Sequence, residues 1–282
     1  MTDCLIDTIR KSKIPKVILR FIIMNFLDLA TIKNLLLSVK EMNVLDNHSK
    51  DLLVKANKGF EYNCINGHLT VAQWLYSIEA NIDIDTNYDC AFRWSCKNGH
   101  LTVAQWLYSL GEGMDRTDPS SPARKGQGNV NIHADDEYAF RMSCANGHLT
   151  VAKWLYSLAQ INIHANYEDP FIWSCRSGHL TVAQWLYSLE EINIHDGNEY
   201  VFRWSCANGH LPVAKWLYSI GEVNIHADNE DAFQWACIHG HLTVAKWLYS
   251  FGQVNIHAND DFAFRCAKPN TLDWLDSLTV KN

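Results

Sequence analysis

The sequence predicts an all-α repeat protein, a solenoid of stacked helix-turn-helix units joined by short hairpin fingers and preceded by a small helical unit. Hydrophobic residues make up 48% of the 282 residues, enough for a continuous core between units. The stretch from Gly147 to Ser157 recurs almost letter for letter, mostly at intervals of 31 or 32 residues, a period typical of solenoids. Its copies begin at Gly67, Gly99, Gly147, Gly178, Gly209 and Gly240.

The N-terminal residues 1–56 lack the repeat and are predicted to be helical. Apolar residues recur at the spacing of amphipathic helices, first around Val17 and Phe21 and then from Leu29 to Val39. Pro15 suits the first turn of such a helix. One interpretation is a helical cap that covers the apolar end of the first repeat.

The apolar pattern from Ile14 to Val39 also resembles the F-box, a helical motif that docks onto the Skp-type adaptor of cullin–RING ubiquitin ligases. Met42 departs from the pattern, because a tryptophan is frequent there. The resemblance implies adaptor docking through six residues: Ile14, Pro15, Ile18, Ile22, Phe26 and Leu27. A docking motif of this kind can also serve as a cap.

The repeat array is expected over 57–282, with about seven units. In the third copy, Tyr138 to Asn146 is predicted to be the first helix, because acids precede it and Gly147 ends it. A second helix is predicted from Leu149 to Leu158, with one apolar face. Pro212 in the fifth copy fits the first turn of this helix. The segment before each first helix, such as Val130 to Asp136, predicts a short finger.

Three further features complete the expected array. The repeated tryptophan of the second helix is predicted to stack on the next unit. The stretch 113–129 is rich in proline and glycine and predicts a surface loop insert. The last unit, within 260–282, lacks the Gly-His turn and is predicted to be a terminal cap.

This repeat resembles the ankyrin repeat through its Gly-His-Leu turn, its Val-Ala-Lys-Trp-Leu second helix and its Val-Asn finger. The Thr-Pro-Leu-His opening of that family is replaced by Tyr138 to Arg141, and the period is 31 rather than 33 residues. The repeat sequence, especially Trp-Leu-Tyr-Ser, is similar to that of large ankyrin families of giant DNA viruses that infect amoebae. In those families an N-terminal F-box is a recurrent companion.

Charge and composition limit the class of partner. The formal net charge is −7, of which residues 1–56 contribute +3 and the array −10. An acidic array lacks the basic stripe that nucleic acids need, so no nucleic-acid partner is expected. The longest apolar run, Val17 to Leu27, is too short and too polar for a bilayer, so no membrane contact is expected. Six of the nine cysteines precede the repeated glycine by three residues and are predicted to be reduced core thiols, which favours an intracellular location, cytoplasmic or nuclear.

The thirteen histidines do not predict an active site. Most recur once per turn or once per finger, with a step of about 8–10 Å between stacked units. Zinc needs its ligands about 2 Å from one ion. No metal, cofactor or catalytic residue is therefore predicted, and the chain is expected not to be an enzyme.

Partner-binding residues are predicted where the copies differ, since variation on a fixed scaffold marks a recognition surface. By analogy with ankyrin proteins, the finger, the start of the first helix and the position after the cysteine line the concave face. The predicted set is Arg93, Lys97, Asp136, Glu137, Tyr138, Arg141, Tyr167, Glu168, Arg176, Asp196, Glu199, Tyr200, Arg203, Asp228, Glu230, Ile238 and His239.

The sequence therefore predicts a monomeric protein-binding module whose partner presents a basic or polar segment. A sharper hypothesis makes it the substrate receptor of a ubiquitin ligase, with residues 1–56 docking the adaptor. The alternative is a stand-alone scaffold or competitive inhibitor in which residues 1–56 only cap the array.

Overall fold

A computed structural model of the chain describes residues 59–78, 84–112, 130–158, 160–164, 170–190 and 192–279. All regular structure in these ranges is helical, as the sequence predicted, and none of it is strand. The unit of residues 1–56 and the insert 113–129 lie outside them. The helices are α1 Gly59–Ile65, α2 Leu69–Ile78, α3 Ile84–Lys97, α4 Leu101–Glu112, α5 Ala134–Ala145, α6 Leu149–Leu158, α7 Pro170–Arg176, α8 Leu180–Tyr187, α9 Asp196–Ala207, α10 Leu211–Ile220, α11 Ala227–His239, α12 Leu242–Tyr249, α13 Ala258–Cys266 and α14 Pro269–Thr279.

These residues divide into two compact units. The first contains the described parts of 59–92 and 105–112, and the second contains 93–104 and the described residues from 130 to 279. Consecutive first helices of the second unit pack side by side, α5 with α7, α7 with α9, α9 with α11, and α11 with α13.

The turn between the two helices of a repeat explains the repeated glycine. Gly147 has a φ of +80°, a left-handed conformation that glycine adopts without steric cost. The backbone N–H of Gly147 donates to the Cys144 carbonyl at 3.0 Å, and that of His148 donates to the Ser143 carbonyl at 2.8 Å. The predicted second helix, Leu149–Leu158, is confirmed residue for residue. Pro212 lies in the first turn of α10, as expected.

The core is built from the same positions in the described repeats between the first and the last. The first helix buries a phenylalanine and a cysteine, and the second buries a Val-Ala pair and a leucine. The six predicted core cysteines are all free and buried: Cys64, Cys96, Cys144, Cys175, Cys206 and Cys237. Fully buried rings and leucines follow the repeat period: Phe92, Phe140, Phe171, Phe202, Phe233, Leu107, Leu155, Leu186, Leu217, Leu248 and Leu275.

The second-helix tryptophan packs between units, as predicted, but on the preceding unit rather than on the next one. The Trp216 ring meets the Tyr187 ring edge-on, with centroids 5.7 Å apart and planes at 89°. It also lies 6.2 Å from Phe171 of the same preceding unit. Trp185 repeats this arrangement with Tyr156 at 5.8 Å. Such edge-to-face pairs contribute about 0.5–1.5 kcal/mol each beyond the area they bury.

The fingers that lead into α5, α9, α11 and α13 differ from a paired hairpin, because each forms a tight turn and then a short left-handed segment. Asp135, Asp136 and Glu137 have φ values of 52°, 51° and 61°, and the regular part of α5 follows them. The same three-residue segment precedes the regular helix at 197–199, 228–230 and 259–261. Most of these positions hold Asp, Asn or Gly, which visit left-handed backbone most readily.

The last unit keeps its first helix, α13, and replaces the Gly-His turn. The Lys268 side chain packs near Gly240, and the Asn270 amide donates to the Gly240 carbonyl at 2.9 Å. The Thr271 hydroxyl donates to the Cys237 carbonyl at 2.6 Å. These contacts occupy the place that the turn histidine holds in earlier repeats.

Candidate partner-binding face

The left-handed segments expose backbone carbonyls, and an arginine one turn into the helix binds them. Arg203 donates from Nε to the Asn198 carbonyl at 2.9 Å and from Nη2 to the Gly197 carbonyl at 3.1 Å. Arg141 binds the carbonyls of Asp136 and Asp135 in the same way, at 2.6 and 2.9 Å. The rigid fork of the guanidinium suits two neighbouring acceptors.

The same arginine position also connects adjacent repeats. Nη1 of Arg203 contacts Asp228 at 2.8 Å and Asp231 at 2.6 Å in the next unit. Arg93 forms an ion pair with Asp135. Arg141 is only 5% exposed. The predicted partner-binding arginines at 93, 141 and 203 therefore stabilise the array itself.

The predicted binding carboxylates of Glu137, Glu199 and Glu230 are buried, which corrects their assignment to an open face. Their exposed fractions are 7%, 7% and 6%. Each accepts a hydrogen bond from the finger histidine four residues earlier, as Glu199 does from His195 at 3.0 Å. Each also accepts the backbone N–H of an asparagine in the next finger, at 3.2 Å for Asn224. Through these contacts the three carboxylates tie finger to finger, while the buried Oε2 atoms of Glu137 and Glu230 have no hydrogen-bond partner among the described residues.

The remaining predicted residues have three outcomes. Tyr167 and Glu168 lie outside the described residues. Asp136, Asp196 and His239 are exposed, whereas Asp228 is exposed but paired with Arg203. The others are half-buried near the surface: Lys97, Tyr138, Arg176, Tyr200 and Ile238.

Tryptophans at the same position of four first helices form a row on the surface, here called the first-helix face and defined by Trp94, Trp173, Trp204 and Trp235. Trp94 and Trp235 are 36% and 37% exposed, and the other two are half-buried. Each precedes the buried cysteine of its helix by two residues. Two residues turn an α-helix by about 200°, so these rings point away from the core.

Basic side chains lie over some of these rings. The Lys97 ammonium is 4.1 Å from the centroid of Trp94. The Arg176 guanidinium is 4.8 Å from Trp173 of its own helix and 4.1 Å from Trp204 of the next. Cation–π contacts of this kind stabilise exposed side chains by about 0.5–1 kcal/mol each.

Sequence analysis missed these tryptophans, because a residue that repeats was assigned to the scaffold. That assignment holds for the second-helix tryptophans, which pack between units. The helical spacing to the buried cysteine could have separated the two sets, since Phe202 and Cys206 are four residues apart on one face and Trp204 lies between them on the other.

The turn histidines are also structural. The imidazole of His179 hydrogen-bonds to the backbone of Ala145 in the preceding unit. Burial lowers the pKa of His148, His179, His210 and His241, and this hydrogen bond partly opposes the shift. A second imidazole nearby lowers the pKa of three of them further, His148, His210 and His241. The neutral form is therefore favoured.

Reactive chemistry is not concentrated anywhere in the described part of the chain. Burial raises the pKa of the Cys64 and Cys237 thiols to about 12, far from the thiolate form that nucleophilic catalysis needs. Within the described ranges no group of three His, Cys, Asp or Glu side chains is arranged to hold a metal ion. None of the described helices has the length and apolar character to cross a bilayer.

Comparison with known proteins identifies the fold. No protein-family model and no curated protein matches the chain. Among solved structures, it is similar to the crystal structure of the human ASB11 ankyrin repeat domain, with a TM-score of 0.50 and 17% sequence identity. The alignment covers 78% of this chain and 96% of that one. The fold is thus an all-helical ankyrin-repeat solenoid, as the sequence predicted, and at this identity the likeness shows the fold alone.

Proposed function

We propose that the chain is a non-enzymatic protein-binding module that captures its partner on the first-helix face. The observation that carries this proposal is the row of outward-facing tryptophans. Large aromatic side chains on the surface of a stable scaffold are costly to leave in water, and Trp and Arg are the residues most enriched where binding energy concentrates. Ankyrin-repeat folds commonly serve in protein recognition, which supports the same conclusion by analogy.

The partner-binding test uses the full chain as bait, followed by a binding measurement between the purified partner and the purified chain. Trp94→Ala and Trp204→Ala remove side chains of the face, and we expect each to weaken binding at least about tenfold. Gln184→Ala changes an exposed residue of the second helix α8 and is the matched control. Equal affinity for all three variants would place the binding surface elsewhere.

The sharper form of the proposal makes the chain the substrate receptor of a cullin–RING ubiquitin ligase. Its support is the sequence pattern alone, since Ile14, Pro15, Ile18, Ile22, Phe26 and Leu27 lie outside the described residues. We expect a Skp-type adaptor to co-purify with the full chain. Replacing both Ile18 and Ile22 by Asp should abolish co-purification while the circular dichroism spectrum is unchanged. Absence of adaptor binding by the unmodified chain would leave the alternative, a scaffold or competitive inhibitor capped by residues 1–56.

The viral resemblance, the monomeric state and the location inside the cell stay predictions. Size-exclusion chromatography with light scattering tests the monomeric state directly, with one 32.3 kDa species expected.

A further inference from the structure

Among the described residues, Lys or Arg side chains lie over Trp94, Trp173 and Trp204 of the first-helix face but not over Trp235. Three residues after each tryptophan, the chain has Lys97, Arg176, Ala207 and Ile238 in turn. Lys97 covers its own tryptophan, and Arg176 covers both its own and the next one. Arg176 therefore shows, within this molecule, how a guanidinium fits between two successive units.

The ring of Trp235 lacks such a cation. Ala207 and Ile238 stand at the two positions from which a side chain would reach it, and among the described residues no Lys or Arg lies over it. Its neighbours are the Phe262 ring, 6.2 Å away and nearly perpendicular, and the His239 ring at 5.2 Å. Trp235, His239 and Phe262 are called the Trp235 shelf below.

The surroundings of the shelf are acidic. The two helices that supply it, α11 and α13, contain five acidic residues and a single arginine, Arg265. The side chains of Asp228 and Asp261 are each 56% exposed. Asp228 and Asp231 bind Arg203, and Arg265 lies at the Phe262 ring, 6.0 Å from its centroid. Lys268 also packs near Gly240, which follows His239 in the chain. Five acids against Arg203, Arg265 and Lys268 leave a formal charge of −2, which favours a cation from outside.

We propose that the Trp235 shelf receives an arginine side chain of the partner protein, whose guanidinium takes the place over Trp235 that Arg176 takes over Trp204. This inference rests on the proposed protein-binding function and names the chemistry of one contact within it. A planar guanidinium stacks on an indole and stays charged at any pH the protein experiences, whereas an ammonium offers no flat face.

The first experiment titrates the full chain with two capped peptides, each with one central residue between glycine and serine. That residue is arginine in one peptide and citrulline, its uncharged analogue, in the other. The readout is the indole N–H resonance of each of the eleven tryptophans, with Trp235 assigned through Trp235→Phe. We expect the arginine peptide to shift the Trp235 resonance and to bind at least about fivefold more tightly than the citrulline peptide.

Trp173 is the internal control, because Arg176 already lies over its ring. Its resonance should move little with either peptide. Equal shifts from both peptides, or equal responses of Trp173 and Trp235, would overturn the proposal.

Ile238→Arg is the second test, since it places an arginine three residues after Trp235, as Arg176 follows Trp173. Other repeats accept Lys97 and Arg176 at this position, so the variant is expected to fold, which a thermal melt checks. The added guanidinium should fill the shelf and weaken arginine-peptide binding at least about fivefold. Binding equal to that of the unmodified chain would contradict the proposal.

These outcomes are separate from the test of protein binding itself. A captured partner whose affinity falls with Trp94→Ala but is unchanged by Ile238→Arg would sustain the first-helix face and refute the arginine contact. A positive peptide titration without any captured protein would sustain the arginine site on Trp235 and refute the capture of a partner protein by the full chain.

Discussion

The imidazole of His179 lies directly over Gly147 of the preceding repeat: a Cβ added to that glycine would come within 2.5 Å of the ring's Nδ1. Gly99, one repeat earlier, has the same relation to His148. The Gly-His pair therefore serves two functions at once. The glycine turns the chain within its own unit, and the histidine of the next unit occupies the space that the missing side chain leaves.

Gly147→Ala should destabilise the array more than an equivalent change without the histidine contact. Alanine at a φ of +80° costs about 1–2 kcal/mol from the left-handed backbone alone. Overlap with the His179 ring adds about 1–3 kcal/mol. Gly252→Ala is the matched control, because Gly252 has a φ of +74° and an added Cβ would meet no described heavy atom within 4 Å. Urea midpoints of the two variants give the comparison, and equal midpoints would show that the histidine contact contributes nothing.

Glu199→Ala should lower the free energy of unfolding by about 1–3 kcal/mol, because the backbone N–H of Asn224 loses its buried acceptor. Glu199→Gln keeps an oxygen at that position and should cost less. Glu190→Ala removes an exposed partner of His164, and a loss below about 1 kcal/mol is expected there. Urea denaturation followed by circular dichroism measures all three. Equal effects of the first and third substitutions would mean that burial of the Glu199 carboxylate does not matter.

Because of the turn histidines, we expect the free energy of unfolding to decrease in mild acid. The folded pKa values of His148, His179, His210 and His241 are lowered from the usual 6.5, so below that pH the unfolded chain binds protons that the folded chain does not. Stability due to these groups is constant above about pH 7 and decreases as the pH falls through 6.5 towards the lowered values. Ring C–H resonances followed by NMR from about pH 8 to about pH 4.5 should show these four histidines titrating below 6.5. Titration at or above 6.5 would contradict their burial.

Thiol labelling should separate one cysteine from the core set. Cys266 is exposed, whereas Cys206 and its equivalents are fully buried, and burial raises the pKa of the Cys206 thiol. Iodoacetamide at about pH 8 should therefore alkylate Cys266 in the folded protein and leave Cys206 unmodified until urea is added. Mass spectrometry of the digested protein assigns each site. Rapid alkylation of Cys206 or another core cysteine in the native state would contradict the burial of these thiols.

The positions of the helices were predictable, because each repeat contains the same helix signals in its sequence. Leu149–Leu158 was placed correctly from the apolar face, the glycine before it and Pro212 in a parallel copy. The left-handed segment at 135–137 was not predicted. Asp, Asn and Glu before a helix are equally typical of ordinary capping, and only the chain path shows which backbone conformation they adopt.

The binding face was predicted only in part, because contacts between residues far apart in the chain decide which side chains are free. Glu199 and Arg203 were assigned to the concave face by analogy with ankyrin proteins, because they lie at the start of the first helix. Their partners, Asn224 and Asp228, are 25 residues away in the chain, and local patterns do not reveal contacts at that separation.

The sequence by itself determined the ankyrin-repeat fold, because periodic glycines, buried rings and helix lengths are local properties that each copy repeats. The tertiary structure alone decided which polar residues are available. Stacking brings finger against finger, so the buried carboxylates and the arginine side chains bind groups of the array itself. Stacking leaves the tryptophan row facing outward. Among the described residues no Lys or Arg side chain lies over Trp235, because Ile238 stands where Arg176 stands relative to Trp173.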